Sequence, residues 1–110
     1  MAQEILAKLA EGTAVFNDVI AFIESKYTHT PTAFKNGNQE NVADQNQGSA
    51  KVLAFGQLEG LSAEDTLKLF AEHYQVVLDT PEGTDHQNIR QFMANGWDGV
   101  SFDGEALAAK

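Results

Sequence analysis

Residues 49–59 are the stretch of the sequence that most restricts how the chain can fold. If this stretch is helical, at about 100° per residue, its large apolar side chains point in every direction. These side chains are Val52, Leu53, Phe55 and Leu58. A helix that is apolar on all sides must be covered by the rest of the chain, so the pattern predicts a central helix. A buried strand over residues 51–55 is the alternative, because a short apolar run fits both structures.

Apolar residues at helical spacing predict the elements that cover this centre. Four amphipathic helices are expected, over residues 2–10, about 14–27, about 63–78 and about 84–95. The spacing places Leu78 in the core stripe of the third of these helices and Met93 in that of the fourth. The third helix has a second stripe, formed by Leu69 and Val76 with His73 beside them. Either another layer of this chain covers the second stripe, or the stripe is a surface that contacts a partner protein.

Turn residues predict a small antiparallel sheet beside the helices. Asn36-Gly37 suits the two-residue turn of a hairpin around residues 30–43. Residues 97–103 are typical of one short strand bounded by turns, which pairs with part of that hairpin. The predicted fold class is therefore α+β and mainly helical. We expect about five helices and a small antiparallel hairpin or sheet in a single layer-packed domain over residues 1–110.

The charge of the chain narrows the choice of partners. The 110 residues carry a net charge of −9, and residues 56–110 hold ten acidic and only three basic side chains. A nucleic acid or an anionic membrane surface requires a basic patch, so we expect neither as a partner. The sequence also lacks an apolar run near the ~18 residues of a membrane span. These features indicate a cytoplasmic protein.

Metal and cofactor sites are not predicted. The chain has no cysteine, which excludes thiolate ligands and thiol nucleophiles. His29, His73 and His86 are far apart in sequence and do not match a zinc motif. Glycine-rich phosphate loops are absent from the sequence as well. We therefore expect no metal and no cofactor.

Amide side chains are concentrated in residues 28–48, a polar and nearly uncharged segment. Because amides both donate and accept hydrogen bonds, such a segment can recognise a ligand. We take Asn36, Asn38 and Asn46 as candidate ligand-binding residues. The alternative is a compact loop whose amides satisfy the hydrogen bonds of their own backbone.

A second group of candidates lies where the last helix begins. Asp85 and His86 can act as a general acid–base pair, and Arg90, the only arginine of the chain, can hold an anion. Asn88 and Trp97 are further candidate ligand-binding residues. The alternative is structural. In that interpretation the acid, the imidazole and the guanidinium tie a turn to the helix, and Trp97 belongs to the core.

Several motifs of the chain resemble those of one protein family. They include Thr30-Pro31-Thr32-Ala33-Phe34-Lys35-Asn36-Gly37, Asn46-Gln47-Gly48-Ser49, Gly60-Leu61-Ser62, Thr66-Leu67-Lys68-Leu69-Phe70 and Gly83-Thr84-Asp85-His86-Gln87-Asn88-Ile89-Arg90. The run from Asp85 to Arg90, followed by Gly96-Trp97, is the most specific part. Together they resemble the HopJ family of type III effector proteins. The resemblance implies a small stand-alone bacterial protein, whose family is named for secretion into host cells, and it brings no established catalytic mechanism.

Two functions from different classes fit these observations. We favour a non-enzymatic binding or interaction module, in which the amide-rich segment and residues 85–90 form one concave face. Its partner would be a protein or a small polar ligand. The alternative is a small hydrolase or lyase that uses Asp85, His86 and Arg90 on an anionic or polar small molecule. We expect a monomer rather than a dimer through the second stripe of the third helix, and a cytoplasmic location rather than type III secretion into a host cell.

Overall fold

A computed structural model describes residues 2–110. Over these residues the chain forms six α-helices, one 3₁₀ helix and five short strands, which confirms the predicted α+β, mainly helical class with one helix more than expected. The helices are α1 (Ala2–Ala10), α2 (Phe16–Lys26), α3 (Gln47–Glu59), α4 (Ala63–Lys68), α5 (Glu72–Asp79) and α6 (Gln87–Asn95), followed by the 3₁₀ helix (Gly96–Gly99). The strands are β1 (Tyr27–His29), β2 (Phe34–Asn36), β3 (Gln39–Asn41), β4 (Val100–Phe102) and β5 (Leu107–Ala109). None of the helices described over residues 2–110 combines the length and the apolar character that crossing a membrane requires.

Helix α3 is the centre of the core, as its all-round apolar pattern predicts. Val52, Leu53 and Phe55 are fully buried, and α2, α4 and β5 pack against the helix. Leu58 departs from the prediction, because one side of the last turn is open to solvent and leaves this residue 54% exposed. Gly60 follows with a φ of +68°, a left-handed conformation that ends the helix. The helical interpretation of residues 49–59 is therefore confirmed over the strand alternative.

Two small antiparallel sheets flank the helices. In the first sheet β2 lies between β3 and β4, so that Phe34 is opposite both Asn41 and Phe102. The turn of the β2–β3 hairpin lies one residue later than predicted, with Gly37 and Asn38 as its two loop residues. Gly37 has a φ of +60°, and glycine at the first loop position is typical of a type II′ turn. In the second sheet β1 pairs with β5, a pairing that neither turn residues nor periodicity indicated.

The helix predicted over residues 63–78 is two helices, α4 and α5. Residues 69–71 separate them, and Ala71 has φ +53° and ψ −125°, a conformation that a residue with a Cβ rarely adopts. The break directs Leu69 into the core, where it is fully buried, while Val76 remains exposed. The stripe of Leu69, His73 and Val76 is therefore divided between the core and the surface and does not form one exposed surface.

Leu78 and Met93 were predicted in the core, and the structure places both on the surface. Their exposed fractions are 46% and 44%, although the adjacent residues Val77 and Phe92 are buried. Helices α5 and α6 pack side by side and leave these two side chains uncovered. Trp97 lies edge-on to Phe92, and its Nε1 donates a hydrogen bond of 3.0 Å to the carbonyl oxygen of Leu61. The indole thus packs between α6 and the start of α4.

Candidate functional site

Three buried asparagines join the β2–β3 hairpin to the start of α6. Asn36 donates from Nδ2 to the backbone oxygen of Asn88 at 2.7 Å and to its Oδ1 at 3.2 Å. Asn41 and Asn88 exchange two side-chain hydrogen bonds, of 3.1 and 3.0 Å. Asn46 adds a bond of 2.6 Å from its Nδ2 to Oδ1 of Asn41. Because each amide orients the next, the network fixes the amide-rich segment against α6.

A cleft of about 410 Å³ lies next to this network, and Asn88 belongs both to the network and to the lining of the cleft. Its volume is within the range of small-molecule sites. The walls come from the starts of α2, α3 and α6, from β3, and from the residues on either side of the α4–α5 break. We call it the histidine cleft, and it is lined by Phe16, Gln39, Asn46, Gly48, Ser49, Phe70, His73, His86, Gln87, Asn88 and Ile89. The two polar segments that the sequence marked separately, around residues 34–47 and 84–90, thus contribute to one cleft.

Two histidines and two phenylalanines form one wall of the histidine cleft. Phe16 stacks on Phe70 with ring centroids 6.2 Å apart, and it meets the ring of His73 edge-on at 4.8 Å. The ring of His73 lies 5.1 Å from that of His86, with a tilt of 36° between the planes. The backbone N–H of Phe16 donates a bond of 2.7 Å to Oε1 of Glu72, which holds the start of α2 against α5. The wall therefore brings together two imidazoles from different helices.

Helices α3 and α6 both begin at the histidine cleft. Their N-cap residues are Asn46 and His86, with φ of +53° and +51°, and neither side chain caps its helix in the described part of the chain. Asparagine and histidine are both among the residues enriched in this left-handed conformation. The first N–H groups of a helix carry a partial positive charge. Two such helix starts and two imidazoles thus face the same space.

The charge of the cleft differs from that of the chain. Apart from the two histidines, no titratable side chain is among the described residues that line it, although the net charge of the chain is −9. Residues 2–110 also contain no group of three or more His, Asp or Glu side chains arranged to hold a metal ion. The lining is therefore rich in hydrogen-bond donors and free of carboxylates.

Arg90 lies outside the cleft and bonds to the turn that precedes α6. Its Nε donates to the backbone oxygen of Asp85 at 2.6 Å, and Nη2 donates to Oδ1 of the same residue at 2.6 Å. Nη1 and Nη2 also donate to the backbone oxygen and to Oγ1 of Thr80, at 2.7 and 3.1 Å. The guanidinium holds the pKa of the Asp85 carboxyl below its usual range. These bonds are the structural arrangement that the sequence left open as an alternative.

Asp85 and His86 are adjacent but not hydrogen-bonded. Oδ2 of Asp85 and Nε2 of His86 are 3.9 Å apart, which exceeds hydrogen-bond distance. The carboxylate of Asp85 is bound to Arg90 instead, and the ring of His86 faces His73. The geometry therefore separates His86 from the other two residues of the predicted acid–base group.

The structure divides the candidate residues between the cleft and its surroundings. Those that line the histidine cleft are Asn46, His86 and Asn88. Those that lie outside its lining are Asn36, Asn38, Asp85, Arg90 and Trp97. Asn36 is buried behind the cleft, and its Oδ1 has no hydrogen-bond partner among the described residues. Asn38 is exposed in the hairpin turn, where its backbone N–H donates to Gln91.

Several cleft residues were not singled out as site residues from the sequence. They are Phe16, Gln39, Ser49, Phe70 and His73. The periodicity assigned the two phenylalanines to the core and placed His73 beside a partner stripe. His73 reaches the cleft because the break at Ala71 reorients α5 relative to α4. Residues 69–71 carry no turn signal that would indicate the break, so its consequence for His73 could not be predicted.

Comparisons with known proteins found a family model and a solved structure that match the chain. A sequence model described as "HopJ: HopJ type III effector protein" matches residues 2–107, a span that contains every residue of the cleft lining. A solved structure described as "Crystal structure of unknown function protein VPA0580" is similar over 98% of this chain and 92% of that one. Its TM-score is 0.90 at 47% sequence identity. None of the curated proteins matches the chain.

Proposed function

The chain belongs to the HopJ family, and from this premise we propose that it is a binding module that holds a small anionic molecule in the histidine cleft. The observation that carries the proposal is the pairing of His73 with His86, whose ring centroids are 5.1 Å apart at the wall of a 410 Å³ cleft. An imidazole N–H donates a hydrogen bond to the oxygen of an anion.

Backbone donors in the histidine cleft support the same ligand class. Gly48 and Ser49 belong to the first turn of α3, and Gln87 and Asn88 to that of α6. The first four N–H groups of a helix have no acceptor within the helix, so those that face the cleft are free to bind the oxygens of a ligand. The hydroxyl of Ser49 is a further donor. A carboxylate or a phosphate group accepts several such bonds at once.

The distribution of charge also favours an anion at this place. An acidic chain repels anions at long range, so a bound anion must be held by local contacts. None of the described lining residues has a carboxylate that would oppose it. Asp85, the acidic residue next to His86 in sequence, is paired with Arg90 at 2.6 Å. The described lining of the cleft thus carries no negative side chain, although the protein as a whole is acidic.

The alternative function is a small hydrolase or lyase that uses Asp85, His86 and Arg90. The geometry supports it less well, because Asp85 and His86 are 3.9 Å apart. Arg90 is already bonded to Asp85 and Thr80 and lies outside the cleft lining. The binding function requires none of these three residues to act as an acid or a base.

Titration calorimetry with citrate tests the proposal, with glucose as a neutral polar comparison. We expect citrate to bind more tightly than glucose, because its carboxylates can accept hydrogen bonds from several donors of the cleft at once. His73→Gln and His86→Asn should each weaken citrate binding by about tenfold or more. A lost hydrogen bond to a charged group corresponds to about 1.5–3 kcal/mol. Asparagine is the replacement at position 86 because it tolerates the left-handed backbone there.

The third histidine of the chain provides the matched control. The Nε2 atom of His29 lies 3.1 Å from Oε1 of Gln47, and His29 does not line the cleft. His29→Gln should therefore leave citrate affinity unchanged. If all three variants bind citrate equally well, or if glucose binds as tightly as citrate, the proposal is contradicted.

We propose that the protein functions in the bacterial cytoplasm. The description of the matching family, which names type III effectors, provides the alternative of delivery into a host cell. The histidine cleft requires neither location, because it is built within the folded chain. A translocation reporter fused to the chain distinguishes the two.

A further inference from the structure

Three neighbouring rings form a continuous series along one wall of the histidine cleft. They belong to Phe16, His73 and His86, and the centroids of adjacent rings are 4.8 and 5.1 Å apart. Phe16 is only partly buried and lines the cleft. The ring of Phe70, a residue that is 2% exposed, stacks on that of Phe16 at 6.2 Å with 8° between the planes. Phe16 therefore presents an aromatic surface to the cleft, and a buried ring supports it.

The ring of Phe16 lies directly beside groups that the proposed function assigns to the anion. His73 meets this ring edge-on, with 66° between the planes. Gly48, in the first turn of α3, is so close that a Cβ there would lie 3.4 Å from Cζ and 3.5 Å from Cε2 of Phe16. An anion that binds at His73 and at the start of α3 would therefore place the adjoining part of the ligand against the phenyl ring.

The contacts around Phe16 favour an aromatic ring in the ligand over an aliphatic one. Aromatic rings attract one another in offset-stacked and edge-to-face arrangements, beyond the effect of the area that they bury. Both arrangements already occur in this wall, stacked between Phe16 and Phe70 and edge-on between Phe16 and His73. A planar ring that contacts Phe16 extends this cluster, whereas an aliphatic ring of similar size gains only the buried area.

We propose that the histidine cleft is selective for a small aromatic anion, a molecule whose ring carries a carboxylate or a phosphate group directly. The inference rests on the proposed function, because the histidines and the helix starts bind the anionic group. It adds that Phe16 determines specificity by contacting the ring of the ligand. Direct attachment is required because the rings of Phe16 and His73 are adjacent, so that a long linker would carry the ligand ring past Phe16.

Two monocarboxylates that differ in the ring test the proposal by NMR titration of the ¹⁵N-labelled full chain. Benzoate and cyclohexanecarboxylate have the same charge and a ring of the same number of atoms, but only the ring of benzoate is aromatic. We expect benzoate to bind about threefold or more tightly than cyclohexanecarboxylate, because only benzoate gains the interaction between aromatic rings. The proposal is overturned if cyclohexanecarboxylate binds as tightly as benzoate.

Substitutions of Phe16 show whether this residue causes the preference for benzoate. Phe16→Leu should remove the preference, and Phe16→Tyr should retain it because the ring is kept. Phe22→Leu is the matched control, since Phe22 is a partly buried phenylalanine of the same helix that does not line the cleft. Circular dichroism verifies that the three variants are folded. A preference that survives Phe16→Leu, or one that Phe22→Leu abolishes as well, contradicts the role of Phe16.

Citrate distinguishes a failure of this inference from a failure of the proposed function. Citrate has no ring, so Phe16→Leu should change its affinity by no more than about twofold, whereas His73→Gln should weaken both citrate and benzoate. If citrate binds in a His73-dependent manner and benzoate shows no preference over cyclohexanecarboxylate, only the selectivity for an aromatic ring is refuted. If neither citrate nor benzoate binds at about 10 mM, the proposed function and this inference are both refuted.

Discussion

Replacing Asn88 by alanine should destabilise the fold, because this side chain is the centre of the buried amide network. The substitution removes three side-chain hydrogen bonds, two between Asn88 and Asn41 and one from Asn36 to Oδ1 of Asn88. A typical intramolecular hydrogen bond contributes about 0.5–1.5 kcal/mol net, so their sum is about 3 kcal/mol. Two partners retain other bonds: Nδ2 of Asn36 keeps the backbone oxygen of Asn88, and Oδ1 of Asn41 keeps Asn46. We therefore expect a loss of about 2–3 kcal/mol in the free energy of unfolding.

Urea unfolding, followed by the fluorescence of Trp97, measures this loss. Asn38→Ala is the matched control, since the Asn38 side chain is exposed in the hairpin turn and its replacement should change stability by no more than about 0.5 kcal/mol. If Asn88→Ala is as stable as Asn38→Ala, the network does not hold the hairpin against α6. The buried amides would then be available for a ligand, and the structural role assigned to them would be refuted.

Two further predictions concern packing and pH. Gly56→Ala should cost about 1–3 kcal/mol in urea unfolding, because a Cβ at this position would lie 2.6 Å from Oγ1 of Thr66. Gly104→Ala, with its nearest contact at 3.7 Å, should leave stability nearly unchanged, and equal losses in both variants would contradict the packing argument. The lowered pKa of Asp85 means that its pairing with Arg90 stabilises the fold above the ordinary carboxyl pKa, and that this contribution is lost as the pH falls through the lowered folded value. Asp85→Asn should therefore be less stable than the original chain at neutral pH and equally stable in acid, and a difference that does not change with pH would contradict this assignment.

The sequence predicts most of the fold because its strongest signals are local. The all-round apolar pattern of residues 49–59 identifies the central helix, since only complete burial suits such a pattern. The hairpin and a strand within residues 97–103 follow from turn residues. The hairpin turn lies one residue later than predicted, and the first part of the predicted strand belongs to the 3₁₀ helix Gly96–Gly99. The family is also identified from the motifs alone.

The remaining features depend on contacts between distant parts of the chain. The periodicity of residues 63–78 suits one continuous helix, but the structure breaks it at Ala71 and buries Leu69. Tertiary packing can override local helix propensity in this way. The start of α6 shows the same effect, because the helix expected from about residue 84 begins at Gln87, after the N-cap residue His86.

The candidate site was predictable only in part. The sequence identified the two polar segments, and some residues of each segment line the histidine cleft. It did not pair His73 with His86, because these residues lie on separate helices whose relative orientation depends on the α4–α5 break. Arg90 was a candidate anion-binding residue, but a guanidinium bonded to an adjacent turn cannot be distinguished from a free one by sequence alone.

The most direct test of the central claim is an NMR titration of the ¹⁵N-labelled chain with citrate. If the histidine cleft binds the anion, the largest shifts should occur at the backbone amides of Gly48, Ser49, Gln87 and Asn88, together with the ring signals of His73 and His86. Shifts centred on Arg90, shifts spread evenly over the surface, or no shifts at all would contradict it.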